Sequence, residues 1–122
     1  MEAALRLRAV PISVSTARDA TRGFVASLRI SAEDALVIVS ELVANAVQHG
    51  AEPIALRLSW DGRALHIEVS DDDPRIDRVT PTPRSAYNAR GRGLVLTDRL
   101  AASWGVHEGP SGMGKTVWAD VV

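Results

Sequence analysis

Leu5, Leu7 and Ala9 alternate with Arg6 and Arg8, the two-residue period of a half-buried strand, and the pattern predicts a strand ending at Pro11. The period then changes. Ala17, Ala20, Phe24 and Leu28 recur at helical spacing and predict a helix of about 14 residues, with Ser13 to Ser15 supplying its caps. A second helix opens at Ser31, with Glu33 and Asp34 in the first turn, where the helix dipole favours acids. Its inward stripe is Ala35, Val39, Leu42, Val43 and Ala46, and Gly50 closes it as a left-handed cap. Period two returns in Ile54, Leu56, Leu58 and Trp60, and again in Leu65, Ile67 and Val69. Asp61-Gly62 between these runs is a strong hairpin signal, because tight turns need positive φ.

From Pro74 to Arg90 all periodicity is lost, and Pro74, Pro81 and Pro83 fall in this stretch. A loop of that length exceeds what most connections need and points to function. Gly91 to Ala101 reads as a short helix, then Trp104 to His107 and Thr116 to Val122 as two closing strands. The order predicts an α+β fold, a two-layer α/β sandwich with a mixed, mostly antiparallel sheet and helices on one face. Residues 1–122 are expected to form a single domain.

Composition narrows the function classes. The formal net charge of -1 argues against a general electrostatic grip on nucleic acid or an anionic membrane. The absence of Cys excludes disulfides, thiolate nucleophiles and Cys-ligated zinc. No apolar run approaches the roughly 18 residues of a membrane span, and the N-terminus lacks the shape of a signal peptide, so a cytoplasmic location is expected. Lys115 is the only lysine in the chain.

That lysine sits in a misleading context. Gly109 to Thr116 satisfies the phosphate-loop pattern GxxxxGK[ST]. Phosphate binding by that motif requires a helix starting at the lysine, whose N-terminal amides hold the anion. Here Thr116, Val117, Val121 and Val122 are β-branched and alternate as a strand does, so the segment is read as a Gly-rich hairpin connection.

The second helix carries the more informative pattern. Glu41, Asn45 and His49 are spaced four apart and share a face turned away from the apolar stripe. A carboxylate and an amide one turn apart can act as a base and as an oxygen ligand for Mg²⁺; a solvated polar face is the plainer alternative. Asp71-Asp72-Asp73 ends an apolar strand and is read either as an acceptor for an exocyclic amine or as an acidic turn. Gly91-Arg92-Gly93-Leu94 precedes a helix, where glycines let backbone amides approach phosphate oxygens. Arg75, Arg78, Arg84, Arg90 and Arg92 make the long loop cationic, which suits a polyphosphate or an acidic partner, or simply a solvated surface.

Together these segments resemble the Bergerat-fold (GHKL) ATPases, and among them the bacterial anti-sigma-factor serine/threonine kinases and their actinobacterial relatives. The resemblance runs from about Pro11 to the C-terminus through Ser40 to Gly50, Val69 to Arg75, Gly91 to Leu94 and Gly112 to Ala119. It implies ATP and Mg²⁺ as cofactors, with Glu41 as the general base and Asn45 as the metal ligand. It implies that Asp71 accepts the adenine amino group, with Thr116 supporting that bond directly or through water. His49, Asp73, Arg75, Gly91, Arg92, Gly93 and Leu94 complete the implied nucleotide-binding set, and residues 74–92 form the implied ATP lid. Asp73 and Arg75 stand where the family's Asp box carries glycines, which adds bulk and charge beside a polyanion.

By the same resemblance the chain is expected to be an Mg²⁺-ATP-dependent kinase that phosphorylates an anti-sigma-factor antagonist and binds a sigma factor. A non-catalytic ATP-binding or partner-binding module is the alternative, favoured by the altered Asp box. The catalytic domain of a histidine kinase is a third reading, weakened by the lack of a phosphoacceptor helix pair. Relatives often form dimers, so a homodimer stays open, although no long exposed apolar stripe is legible.

Overall fold

The computed structural model describes residues 1–49, 51–73, 92–109 and 114–122, with the backbone alone for 92–94. In order the elements are β1 (Glu2–Leu7), α1 (Ile12–Val25), α2 (Ala32–His49), β2 (Ile54–Trp60), β3 (Leu65–Asp71), α3 (Arg92–Leu100), β4 (Ser103–Glu108) and β5 (Lys115–Val121). The strands form one sheet in the order β1-β2-β3-β5-β4. All four pairings are antiparallel, so the described sheet is uniform where a mixed one was allowed for.

Alternation decides which face is covered. Ile54, Leu56 and Leu58 of β2, Leu65, Ile67 and Val69 of β3, and Val117, Ala119 and Val121 of β5 are all buried. They join Ala35, Ile38, Val39, Leu42, Val43 and Ala46 of α2 in one core, to which α1 adds Ala17 and Val25. Each fully buried branched aliphatic side chain there stabilises the fold by about 1.5–3 kcal/mol relative to leaving it in water.

Local details differ from the periodic reading in three places. β1 stops at Leu7, because the Ala9 amide donates to the Glu52 carboxylate at 3.0 Å instead of to a ladder partner. α1 starts at Ile12 behind Pro11, with no side-chain cap; the Ser13 hydroxyl instead donates to the Arg8 carbonyl at 2.7 Å. Proline suits a helix start, since its missing N–H would have no partner there. The inward face of α1 is Ser13, Ala17, Thr21 and Val25, and Ala20 is exposed. Thr21 is tolerated inside because its hydroxyl donates to the Ala17 carbonyl at 2.8 Å.

Three other expectations hold, while the Gly50 cap lies outside the described residues. Ser31 caps α2, its hydroxyl accepting from the Asp34 amide at 3.2 Å. In the β2–β3 turn the Asp61 carboxylate accepts from the amides of Arg63 and Ala64 at 2.8 and 2.9 Å, and Gly62 takes φ +95°. Lys115 begins a strand rather than a helix, in agreement with rejection of the phosphate loop.

The opposite face of β3 and β5 is polar and half-buried. His66 lies 2.5 Å from Asp120 and 3.0 Å from Glu68, with Trp118 stacked on its ring at 5.8 Å between centroids. Gly105 of β4 leaves room for that indole, since a Cβ there would lie 3.0 Å from Trp118 Nε1.

Candidate functional site

β3 and β5 run antiparallel with Asp71 opposite Lys115 and Ser70 opposite Thr116. Because side chains alternate across a strand, Asp71 and Lys115 point to the same face as Val69 and Val117, toward the helices. They form the polar end of an otherwise apolar layer. Lys115 Nζ donates to both Asp71 carboxylate oxygens at 2.8 Å, and the two side chains are 2% and 3% exposed. The Asp73 amide donates to Asp71 Oδ1 at 2.8 Å, which curls the chain back after the strand.

Asp73 turns its own carboxylate inward as well. Its Oδ2 lies 3.8 Å from Lys115 Nζ and 3.8 Å from His49 Nδ1, and the His49 side chain is 4% exposed. The end of α2, the segment after β3 and the start of β5 thus meet in one buried group of charged and titratable side chains. An ammonium between two carboxylates is a favourable arrangement at low dielectric, but each member depends on the others to offset its desolvation.

Gly114 permits this approach. It has φ +68°, and a Cβ there would lie 2.0 Å from the Asp71 carbonyl oxygen and 2.8 Å from the Asp72 Cα. Any side chain would therefore push the start of β5 away from the end of β3.

On α2 the face carrying Glu41, Asn45 and His49 is not the solvated one. Glu41 and Asn45 are half-buried, whereas Ala44 and Gln48 are exposed. The polar trio therefore lies at the boundary between core and solvent. Next to Glu41, the Ser40 hydroxyl donates to the Leu36 carbonyl at 2.7 Å and accepts from Arg18 of α1 at 3.0 Å, which ties the two helices together.

The structure brings His49, Asp71 and Asp73 together, with Glu41 and Asn45 on the same helix as His49. It does not bring Thr116 to Asp71. Ser70 and Thr116 place their hydroxyl oxygens 2.8 Å apart, on the other side of the sheet from Asp71, so the direct bond between Thr116 and Asp71 is not made. Arg75 and Gly91 lie outside the described residues, as do the side chains of Arg92 and Leu94 and most of the expected lid at 74–92; the backbone from Arg92 begins α3.

Lys115 is the residue that sequence reasoning noticed without giving it a place in the site. The signal was present: inward Val117, Ala119 and Val121 put position 115 inward by the same alternation, and position 116 outward. Among the described residues no group of three His, Asp or Glu side chains could hold a metal ion, and no helix is long and apolar enough to cross a membrane.

The comparisons with known proteins agree with this architecture. The family model for the histidine kinase-like ATPase domain matches residues 7–120. An uncharacterized protein of Streptomyces coelicolor is 30% identical over 73 residues, covering 57% of this chain and 70% of its own length. The crystal structure of the RsbU and RsbW domains of Rv1364c from Mycobacterium tuberculosis superposes with a TM-score of 0.73 at 19% identity, over 99% of this chain. This chain spans 32% of the length of that one, and at such identity the likeness is one of fold.

Proposed function

The chain belongs to the histidine kinase-like ATPase domain family, and on that footing we propose that it is an Mg²⁺-ATP-binding regulator of the anti-sigma-factor kinase type, which phosphorylates a serine or threonine of a protein antagonist and binds a sigma factor. The observation that carries this reading is the convergence of two sequence-distant motifs, with His49 of the Glu41-Asn45-His49 face within 3.8 Å of Asp73 beside the buried Asp71.

The residues present suit the cofactor. Mg²⁺ keeps several waters and takes few protein oxygens when phosphates supply the rest, so a single amide such as Asn45 is an adequate protein ligand. Bound Mg²⁺-ATP would supply the γ-phosphoryl group. Glu41 would take the proton of the attacking hydroxyl, Asn45 would hold the cation, and Asp71 would accept from the base. Phosphoryl transfer asks the protein chiefly for positioning and charge stabilisation, which a half-buried helix face can provide.

A second reading has its own support. Both Asp71 oxygens already accept hydrogen bonds from Lys115, which favours a module that binds partners with little or no phosphoryl transfer. Calorimetric titration with ATP, with and without Mg²⁺, followed by a kinase assay on a candidate antagonist, separates the two. Mg²⁺-dependent binding with transfer supports the kinase. Partner binding without transfer supports the module.

A further inference from the structure

The Asp71 carboxylate is already heavily used. It offers about four acceptor directions. Lys115 occupies one on each oxygen, and the Asp73 amide occupies a second on Oδ1. The pair is almost wholly closed to solvent, and Asp73 gives the ammonium a second negative neighbour at 3.8 Å. A purine amino group approaching Asp71 would meet a stronger, charged donor in place. For the base to make its bond the ammonium must move, and a flexible four-carbon stem allows that.

We propose that Lys115 is the specificity-determining residue of the nucleotide pocket: its ammonium fills the place of the base's amino donor on Asp71, so the chain holds adenine weakly and discriminates poorly between bases until Lys115 swings away. This rests on the nucleotide-binding reading above. Gly114 sharpens the argument, since its backbone is pressed against the Asp71 carbonyl and holds the root of Lys115 beside the carboxylate. Relief must therefore come from the side chain and not from the strand.

The test measures ATP and GTP affinity for the wild-type chain and for Lys115→Met, whose side chain keeps the bulk and loses the charge. ATP should bind the variant at least about 10-fold more tightly than the wild type, a gain of about 1.4 kcal/mol. GTP, which presents a carbonyl where ATP presents the amine, should gain nothing. Equal gains for both nucleotides, or weaker ATP binding in the variant, would overturn the role of Lys115 and leave the nucleotide site standing. No binding by either protein at millimolar ATP would overturn the nucleotide reading, and this inference with it.

Since removing Lys115 leaves Asp71 buried without its counter-charge, the unaltered chain supplies a second measurement. Lys115 is the only lysine, so acetylation of its side chain can be followed at a single peptide. The rate should rise several-fold at saturating ATP as the ammonium leaves its partners. An unchanged rate with ATP bound would overturn the proposal.

Discussion

His66 of β3 and Asp120 of β5 pair across the polar, half-buried side of the sheet, Nδ1 to Oδ1, at 2.5 Å, while Glu68 takes the other ring nitrogen at 3.0 Å. Burial is the largest influence on the imidazole and pulls its pKa down, but the bonds to Asp120 and then Glu68 outweigh it and leave the group above its ordinary 6.5. A histidine raised in the folded state contributes its full stabilisation below about pH 6.5, and loses it as the pH rises through the folded value.

Thermal unfolding should therefore show a stability difference between wild type and His66→Gln that is largest in mild acid and shrinks on the alkaline side of neutrality. At 36% side-chain exposure the contribution is screened, and at most about 1 kcal/mol is expected. A difference that grows with rising pH would contradict the assignment.

Two glycines with positive φ should respond very differently to alanine. At Gly62 a Cβ meets nothing within 4 Å, so only backbone strain of about 1 kcal/mol is expected. At Gly114 the same atom would lie 2.0 Å from the Asp71 carbonyl oxygen, so the strands must separate. Gly114→Ala should cost about 3 kcal/mol or more in denaturant unfolding, in the range reserved for overpacking combined with strain.

Breaking the Asp71–Lys115 pair from either side takes a buried charge's nearest partner away, and Asp73 at 3.8 Å from the ammonium replaces it only in part. Asp71→Asn and Lys115→Met should each destabilise by about 3–5 kcal/mol, and the double variant by much less than their sum. Additive losses in a double-mutant cycle would mean that the two groups are not coupled.

Glu41→Ala should keep nucleotide affinity within about twofold while phosphoryl transfer to a protein antagonist falls by about 10²–10⁴, the usual contribution of a positioned base. Undiminished transfer would remove Glu41 from that role.

Thr116→Val should leave nucleotide affinity unchanged, since the hydroxyl pairs with Ser70 on the far side of the sheet. The lost hydrogen bond should lower stability by about 1 kcal/mol. A large fall in affinity would restore the support of Asp71 by Thr116 through water.

Elements encoded by local chemistry were legible from sequence. The Ser31 cap, the Asp61-Gly62 turn and the alternation in β2 and β3 each depend on residues a few positions apart, and all appear in the structure. The boundaries of β1 and α1 were not, because a distant carboxylate, Glu52, and a backbone carbonyl, Arg8, decide them. The site shows the same division. The shared α2 face of Glu41, Asn45 and His49 was readable from spacing, and Asp71 was singled out by its place at a strand end and by the family resemblance, whereas the partner of Asp71 depends on a pairing between strands whose residues are 44 positions apart. The face of Lys115 could be inferred from its neighbours, but its meeting with Asp71 needed the register.

The strand order β1-β2-β3-β5-β4 places the last described strand between two earlier ones. On a ribosome, β3 would emerge with its inner edge bare, and Asp71 would lack its counter-charge until Lys115–Val121 threaded alongside. Pairings of such long sequence separation are slow, because the loop must close before any contact rewards it. The polar end of the core is therefore assembled after β1, β2 and β3 can already pair, and a chain lacking β5 would leave one edge of β3 bare and its acid without a counter-charge.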